Sequence, residues 1–212
     1  TWNPDNTPGF TWDDASDLSG IKGYWWSVDD DTPTSGWTWL SDTSFGESVT
    51  VSTPLSDGAH TFRVYAVDSS ANENTGPTTS LGFTIDANSP TVPTLLEQVG
   101  DITISDATPL LDWTDSSDGS GSGVSHYELK VKSDILDIPK LHKENLTSSS
   151  YTPTASEALP QERLKWRVRA QDVAGNWGDW TSYQYFTVRL PTMEVELYRV
   201  SDTGGTPHSS NP

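Results

Sequence analysis

Acidic and amide side chains are the residues of this 212-residue sequence best placed to do chemistry, and they come in matched sets. Asp14 and Asp17 follow Phe10-Thr11-Trp12, and Asp68 and Asn72 follow Phe62-Arg63-Val64-Tyr65-Ala66-Val67. The same arrangement returns as Asp115 and Asp118 behind Leu111-Asp112-Trp113, and as Asp172 and Asn176 behind Trp166-Arg167-Val168-Arg169-Ala170-Gln171. A hard cation such as calcium takes about six to eight oxygen ligands at about 2.3–2.6 Å, which Asp and Asn side chains with carbonyls and waters can supply. Turn chemistry is the competing use, because Asp and Asn hydrogen-bond their own backbone and accept left-handed geometry. Both readings stand at this point.

A second set is aromatic. Tyr24-Trp25-Trp26 and Trp37-Thr38-Trp39 flank a turn-rich stretch, 29–36. Successive strand side chains alternate sides, so Tyr24 and Trp26 point inward and Trp25 outward, while Trp37 and Trp39 share a face. An exposed strip of Trp25, Trp37 and Trp39 can stack on a glycan or fill a protein partner's pocket. The alternative is cross-strand pairing within the sheet, worth about 0.2–1 kcal/mol per pair. Trp177 and Trp180 raise the same choice, and cover for a sheet edge or the neighbouring domain is the expectation. Asn145-Leu146-Thr147 is a glycosylation sequon. Catalysis finds little support. His60, His126, His142 and His208 lack metal-ligand spacing, cysteine is absent, and there is neither a nucleophile elbow nor a phosphate-cradling loop. Pairs such as Asp13/Asp14 would need a dry pocket for acid–base work. The chain is expected not to be an enzyme.

Charge narrows the partners. Thirty acidic residues against twelve basic ones leave a net charge of -18. That disfavours nucleic acid, whose phosphates require Lys and Arg, and anionic membrane surfaces; it favours solubility and cations. Hydrophobic residues make up 33% and the mean hydropathy is -0.56, so no segment offers the roughly 20 apolar residues that span a bilayer. Thr1-Trp2-Asn3-Pro4 has neither a basic start nor an apolar run, and the expectation is a mature fragment of something longer. Without cysteine no disulfide braces the fold and the redox compartment stays open. Ten Trp, each able to bury on the order of 200 Å², can build small cores instead.

The elements that must position these side chains are set by an internal repeat. Besides the segments above, Gly20-Ile21-Lys22-Gly23-Tyr24 returns as Gly123-Val124-Ser125-His126-Tyr127, and Gly82-Phe83-Thr84-Ile85 as Tyr185-Phe186-Thr187-Val188. Order and spacing persist, which marks a tandem duplication. A first unit is placed at 1–88, a second at 89–190, and the start of a further repeat or a flexible tail at 191–212. Between the copies, 86–94 carries two prolines in a polar, extended and stiff linker. The second copy has a candidate first strand near 94–99. The first copy lacks a counterpart, so its leading strand is missing, supplied elsewhere, or replaced by the Trp2 region. Met193–Val200 alternates like another strand, followed by a Gly/Ser/Pro tail expected to be disordered. Every matched segment alternates with period two: Tyr24, Trp26 and Val28 inward beside Tyr127, Leu129 and Val131; Phe62, Val64 and Ala66 beside Trp166, Val168 and Ala170. Only 156–164 carries a weak helical stripe. The fold class is all-β, with two tandem antiparallel β-sandwich domains.

Trp12 and Trp113, the Gly-Ile/Val-x-x-Tyr segments, Leu55-x-x-Gly58 with Phe62-x-Val64-x-Ala66-x-Asp68, and Asp172-x-Ala174-Gly175-Asn176 together resemble fibronectin type III and related bacterial or archaeal immunoglobulin-like repeats of surface proteins. The resemblance runs from Pro8 to Val188 and implies sandwiches whose two acidic loops sit side by side at the pole where the chain enters. For the second repeat that pole faces the first, so Asp86 and Asn88 of the linker join Asp115, Asp118, Asp172 and Asn176. The function implied is a non-catalytic extracellular or cell-surface stalk, surface-layer or adhesion module stiffened by calcium, with neighbouring repeats as partners. Two alternatives remain: an accessory carbohydrate-binding or substrate-positioning module of an extracellular hydrolase, and a strand-donating filament subunit.

Overall fold

The computed structural model describes residues 1–31, 36–42, 46–70 and 75–192. Asn72 and Met193–Val200, with the tail behind them, lie outside the described residues.

In the first repeat the strands are β1 (Trp2–Asn3), β2 (Gly9–Trp12), β3 (Ile21–Val28), β4 (Thr38–Ser41), β5 (Glu47–Thr50), β6 (Gly58–Asp68) and β7 (Thr79–Ile85). In the second they are β8 (Ile102–Ile104), β9 (Leu111–Asp112), β10 (Val124–Ser133), β11 (Pro139–Leu146), β12 (Ser150–Tyr151), β13 (Arg163–Asp172) and β14 (Gln184–Val188). One sheet runs β1-β7-β6-β3-β4 and the other β8-β14-β13-β10-β11, the same order position for position. A two-stranded sheet completes each repeat, β2-β5 and β9-β12. The chain is two tandem β-sandwiches of one topology. The weak helical stripe at 156–164 is a single 3-10 turn, Ala155–Glu157, running on into β13. None of the described helices is long and apolar enough to cross a membrane.

Alternation places the cores as expected. In the second repeat Trp113, Tyr127, Leu129, Val131, Trp166, Val168 and Phe186 close a fully buried cluster. In the first, Phe10, Tyr24, Val51, Phe62 and Val64 do so, with the Phe10 and Phe62 rings stacked at 4.2 Å. A tyrosine hydroxyl fixes the same loop in both copies: Tyr24 accepts from the Ala15 N–H, and Tyr127 from that of Ser116, each at 2.9 Å.

Two departures concern strand entry. The edge strands β1 and β8 pair parallel with β7 and β14, although every other strand pair among the described residues is antiparallel. Trp2 faces Thr84 as Thr103 faces the matching Thr187, so β1 is the counterpart of β8 and does not stand in for a leading strand. Among the described residues a leading segment is found in the second repeat, as an isolated bridge rather than a full strand: Leu95 bridges Trp113 and the Leu96 N–H reaches the Asp112 carbonyl at 2.8 Å.

Candidate metal centre

Three chain segments meet where the linker enters the second sandwich. Asp86 follows directly on β7, and its N–H donates to the Asn3 carbonyl at 2.9 Å, extending the first repeat's edge pairing. Asp118 lies in the loop after β9, and Asp172 ends β13. Their carboxylates come together, with one oxygen from each lying within 4.8 Å of the other two.

The surroundings hold this arrangement from both repeats. On the first, the Asp57 carboxylate accepts the Ala87 N–H at 2.8 Å and the Asn88 side-chain amide. On the second, the Ser122 N–H donates to Asp86 Oδ2 at 2.6 Å, and the Asn176 amide donates to the Asp86 carbonyl at 2.8 Å and to Asp172 Oδ2 at 2.9 Å. Asp172 Oδ1 accepts the N–H groups of Gly175 and Asn176, and Asp118 Oδ2 that of Gly123. Gly121 makes the close approach possible. A Cβ there would sit 2.6 Å from Asp118 Oδ2 and 2.9 Å from both Asp86 oxygens.

Two carboxylate oxygens are left over. Asp86 Oδ1 and Asp118 Oδ1 are buried without a hydrogen-bond partner, and Asp86 is 0% exposed. A buried charged oxygen without a donor is costly. Burial pushes the Asp118 carboxyl above the usual carboxylate range, and the charges of Asp86, Asp172 and Asp57 push it further, against the Gly123 N–H. An all-oxygen donor set, convergent and starved of positive charge, suits a hard divalent cation.

The sequence-derived set is redistributed by the tertiary structure. Asp86, Asp118, Asp172 and Asn176 come together, with Asn176 donating rather than offering its oxygen. Asp115 is exposed and outside the cluster. Asn88 leaves the group for Asp57. In the first repeat Asp17 lies close enough to Asp68 to feel its charge, whereas Asp14 groups with Asp42 and Glu47 and accepts the Gly46 N–H at 2.9 Å. Turn chemistry takes much of their capacity: Asp17 accepts from Ser19, and Asp68 from Ser70.

A third group, Glu128, His142 and Glu144, was missed by sequence reasoning. It does not fit a metal, because Glu128 is already engaged by Lys130 at 2.6 Å, His142 at 2.8 Å and Arg169 at 2.6 Å. Burial raises the Glu128 carboxyl, but those bonds prevail and lower it to about 2.

The aromatic residues are mostly spent on packing. Trp37 is 9% exposed against Tyr65 and Val67, which corrects the reading of an exposed strip. Trp25 and Trp39 are half-buried and meet edge to face at 5.1 Å. Trp177 and Trp180 lie over the outer face of β13 and β10, in a ladder with Arg169 at 4.0 and 4.6 Å, Arg167 at 4.2 Å from Trp180, and Lys130 at 4.7 Å. Asn145 is exposed with a left-handed backbone, φ 59°.

Comparison with known proteins adds a family likeness to this geometry. Residues 94–191, a little under half the chain, match the sequence model of the family described as Rha78A-like, N-terminal immunoglobulin domain. No curated protein matches. Among solved structures, the fibronectin(III)-like modules of Clostridium thermocellum CbhA share 13% identity at a TM-score of 0.48, covering 93% of either chain. The FN1-FN3 domains of chicken CNTN1 share 14% at 0.46, covering 89% of this chain and 65% of that one. The β-order and the matched family together make the repeats of this chain immunoglobulin-like or fibronectin type III-like sandwiches.

Proposed function

We propose that this chain is a non-catalytic spacer or accessory module of a larger extracellular protein, and that calcium bound by Asp86, Asp118 and Asp172 locks its two sandwiches into one stiff rod. One observation carries the reading: carboxylates from the linker and from two loops of the second repeat converge in a buried place with two oxygens unpartnered. Asp86 is continuous with the last strand of the first repeat, so a cation there ties both repeats through one side chain. The strong acidity of the chain supports a cation-rich, extracellular setting. The likeness to a domain described as N-terminal supports a unit that serves a larger protein.

Differential scanning calorimetry of the intact chain with calcium and with a chelator tests the proposal. Calcium at about 100 times its dissociation constant would add about 2.7 kcal/mol to stability, seen as a reversible rise in melting temperature. Asp86→Asn would remove most of it. An identical melt in calcium and chelator sinks the reading.

A further inference from the structure

The first repeat carries a groove that its sister has filled. A cavity of about 510 Å³ opens beside Trp12, Asp13, Ser16, Asp17, Asp68 and Gly76. Their counterparts in the second repeat are Trp113, Thr114, Ser117, Asp118, Asp172 and Gly178. Gly76 and Gly178 are matched by identical bonds, each N–H donating to the carbonyl of Ala66 or Ala170 at 2.9 Å.

Each counterpart is in contact with, or faces, the segment 86–96. Trp113 bridges Leu95. Thr114 and Thr94 exchange two bonds of 2.9 Å, through the Thr114 N–H to the Thr94 carbonyl and the Thr94 N–H to Thr114 Oγ1. The Thr91 N–H donates to the Ser117 carbonyl and the Ser117 N–H to Thr91 Oγ1, each at 2.8 Å. Asp118 and Asp172 face Asp86. Gly178 lies under Pro90, whose carbonyl would be 2.6 Å from a Cβ at that glycine. In the first repeat nothing described takes this place. β2 pairs with β5 alone, leaving its other edge open to a strand. Trp12 is only half-buried where Trp113 is 1% exposed.

We propose that this groove is a receptor for the linker of another repeat of the same kind: an extended peptide with an aspartate four residues before a proline and a leucine five residues after it, as in Asp86…Pro90…Leu95. Its backbone would pair along β2 at Thr11 and Asp13. Its proline would cross Gly76 in the extended geometry proline favours. Its aspartate would reach Asp17 and Asp68, and this acidic end rests on the metal reading above, since a third carboxylate there needs a cation.

The test adds a synthetic peptide of residues 84–97 to the intact protein in calcium and in chelator, following the Trp12 indole resonance by NMR. A saturable shift in calcium is expected, absent with a scrambled peptide. Gly76→Val should weaken binding roughly tenfold or more with an unchanged melt. A Cβ at Gly76 meets only the Ala66 carbonyl, at 3.8 Å, so the free protein tolerates it. A peptide with Asn in place of the aspartate separates the two ideas: if it binds equally in calcium and chelator while the native peptide fails in both, the groove stands and the metal reading falls. No shift with either peptide at millimolar concentration overturns the proposal. So does binding that Gly76→Val leaves intact, or concentration-dependent self-association without peptide, which would make a second intact copy the occupant.

Discussion

Asp86 and Asp118 belong to different repeats, yet a carboxylate oxygen of one lies within 4.8 Å of a carboxylate oxygen of the other, and each residue keeps a buried oxygen without a hydrogen-bond partner. Side chains of like charge do not hold such a position for nothing, and the stability of the chain without metal should record the cost. Asp118 has its carboxyl raised by burial and by its acidic neighbours, so the folded state prefers it protonated. Its contribution is fully present below the unfolded value, near 3.8, and is lost as pH rises through the folded value. In chelator at neutral pH, Asp118→Asn should therefore stabilise by about 1 kcal/mol, or about 2–4 °C. In calcium the same substitution should abolish the metal-induced rise. Melting curves of both proteins under both conditions check the reversal of sign.

A buried histidine predicts the opposite end of the pH scale. His60 is 9% exposed, with Nδ1 at 2.6 Å from Asp29 Oδ2 and Nε2 at 2.7 Å from the Ser56 carbonyl. Both partners accept, so both ring nitrogens carry protons. Burial works against the charged ring, but the Asp29 and Ser56 bonds prevail and raise it above 6.5. The stabilisation is complete below 6.5 and fades as pH climbs through the folded value. His60→Gln should cost about 1–2 kcal/mol at pH 6, and the gap to wild type should narrow as pH rises above 6.5 in urea titrations.

Glu128 governs the acid limb. With its carboxyl held at about 2 by Lys130, His142 and Arg169, its contribution is present above 4.5 and lost as pH falls toward 2. Glu128→Gln leaves Lys130 and Arg169 gathered without their anion. It should destabilise by roughly 2–3 kcal/mol at pH 7 and flatten acid unfolding between pH 4.5 and 2, read by tryptophan fluorescence.

The cation–aromatic ladder is open to a packing test. Trp180 covers Arg167, Arg169 and Lys130, each contact worth about 0.5–1 kcal/mol at a surface. Trp180→Ala should cost about 2 kcal/mol in denaturant melts, and Trp180→Phe about half of that. A neutral Trp180→Ala would mean the ladder is ornament rather than cover.

The fold was open to sequence reading because it rests on local chemistry. Period-two alternation in 24–28, 62–66, 127–131 and 166–170, punctuated by Gly, Pro and Asp, leaves few ways to bury Tyr24, Phe62, Trp113 and Trp166 other than between two sheets. The duplication made each half a check on the other. Individual loop side chains were harder. Asp14, Asp17, Asp115 and Asp118 look alike along the chain, and whether one turns to solvent, to Gly46 or to Asp172 depends on loop conformations that no periodicity encodes. Glu128 gave no signal at all, because its partners come from the same strand and from two neighbouring ones.

What residue order settled unaided was a sandwich, made twice, with acid at its turns and a proline linker between. Tertiary structure alone decided which acids meet. Asp86 is 32 residues from Asp118 by number and 86 from Asp172, and only the docking of one repeat's final strand onto the next repeat's entry loops brings them together. The same docking fills the second repeat's edge, because a segment that is one repeat's exit leads into the other.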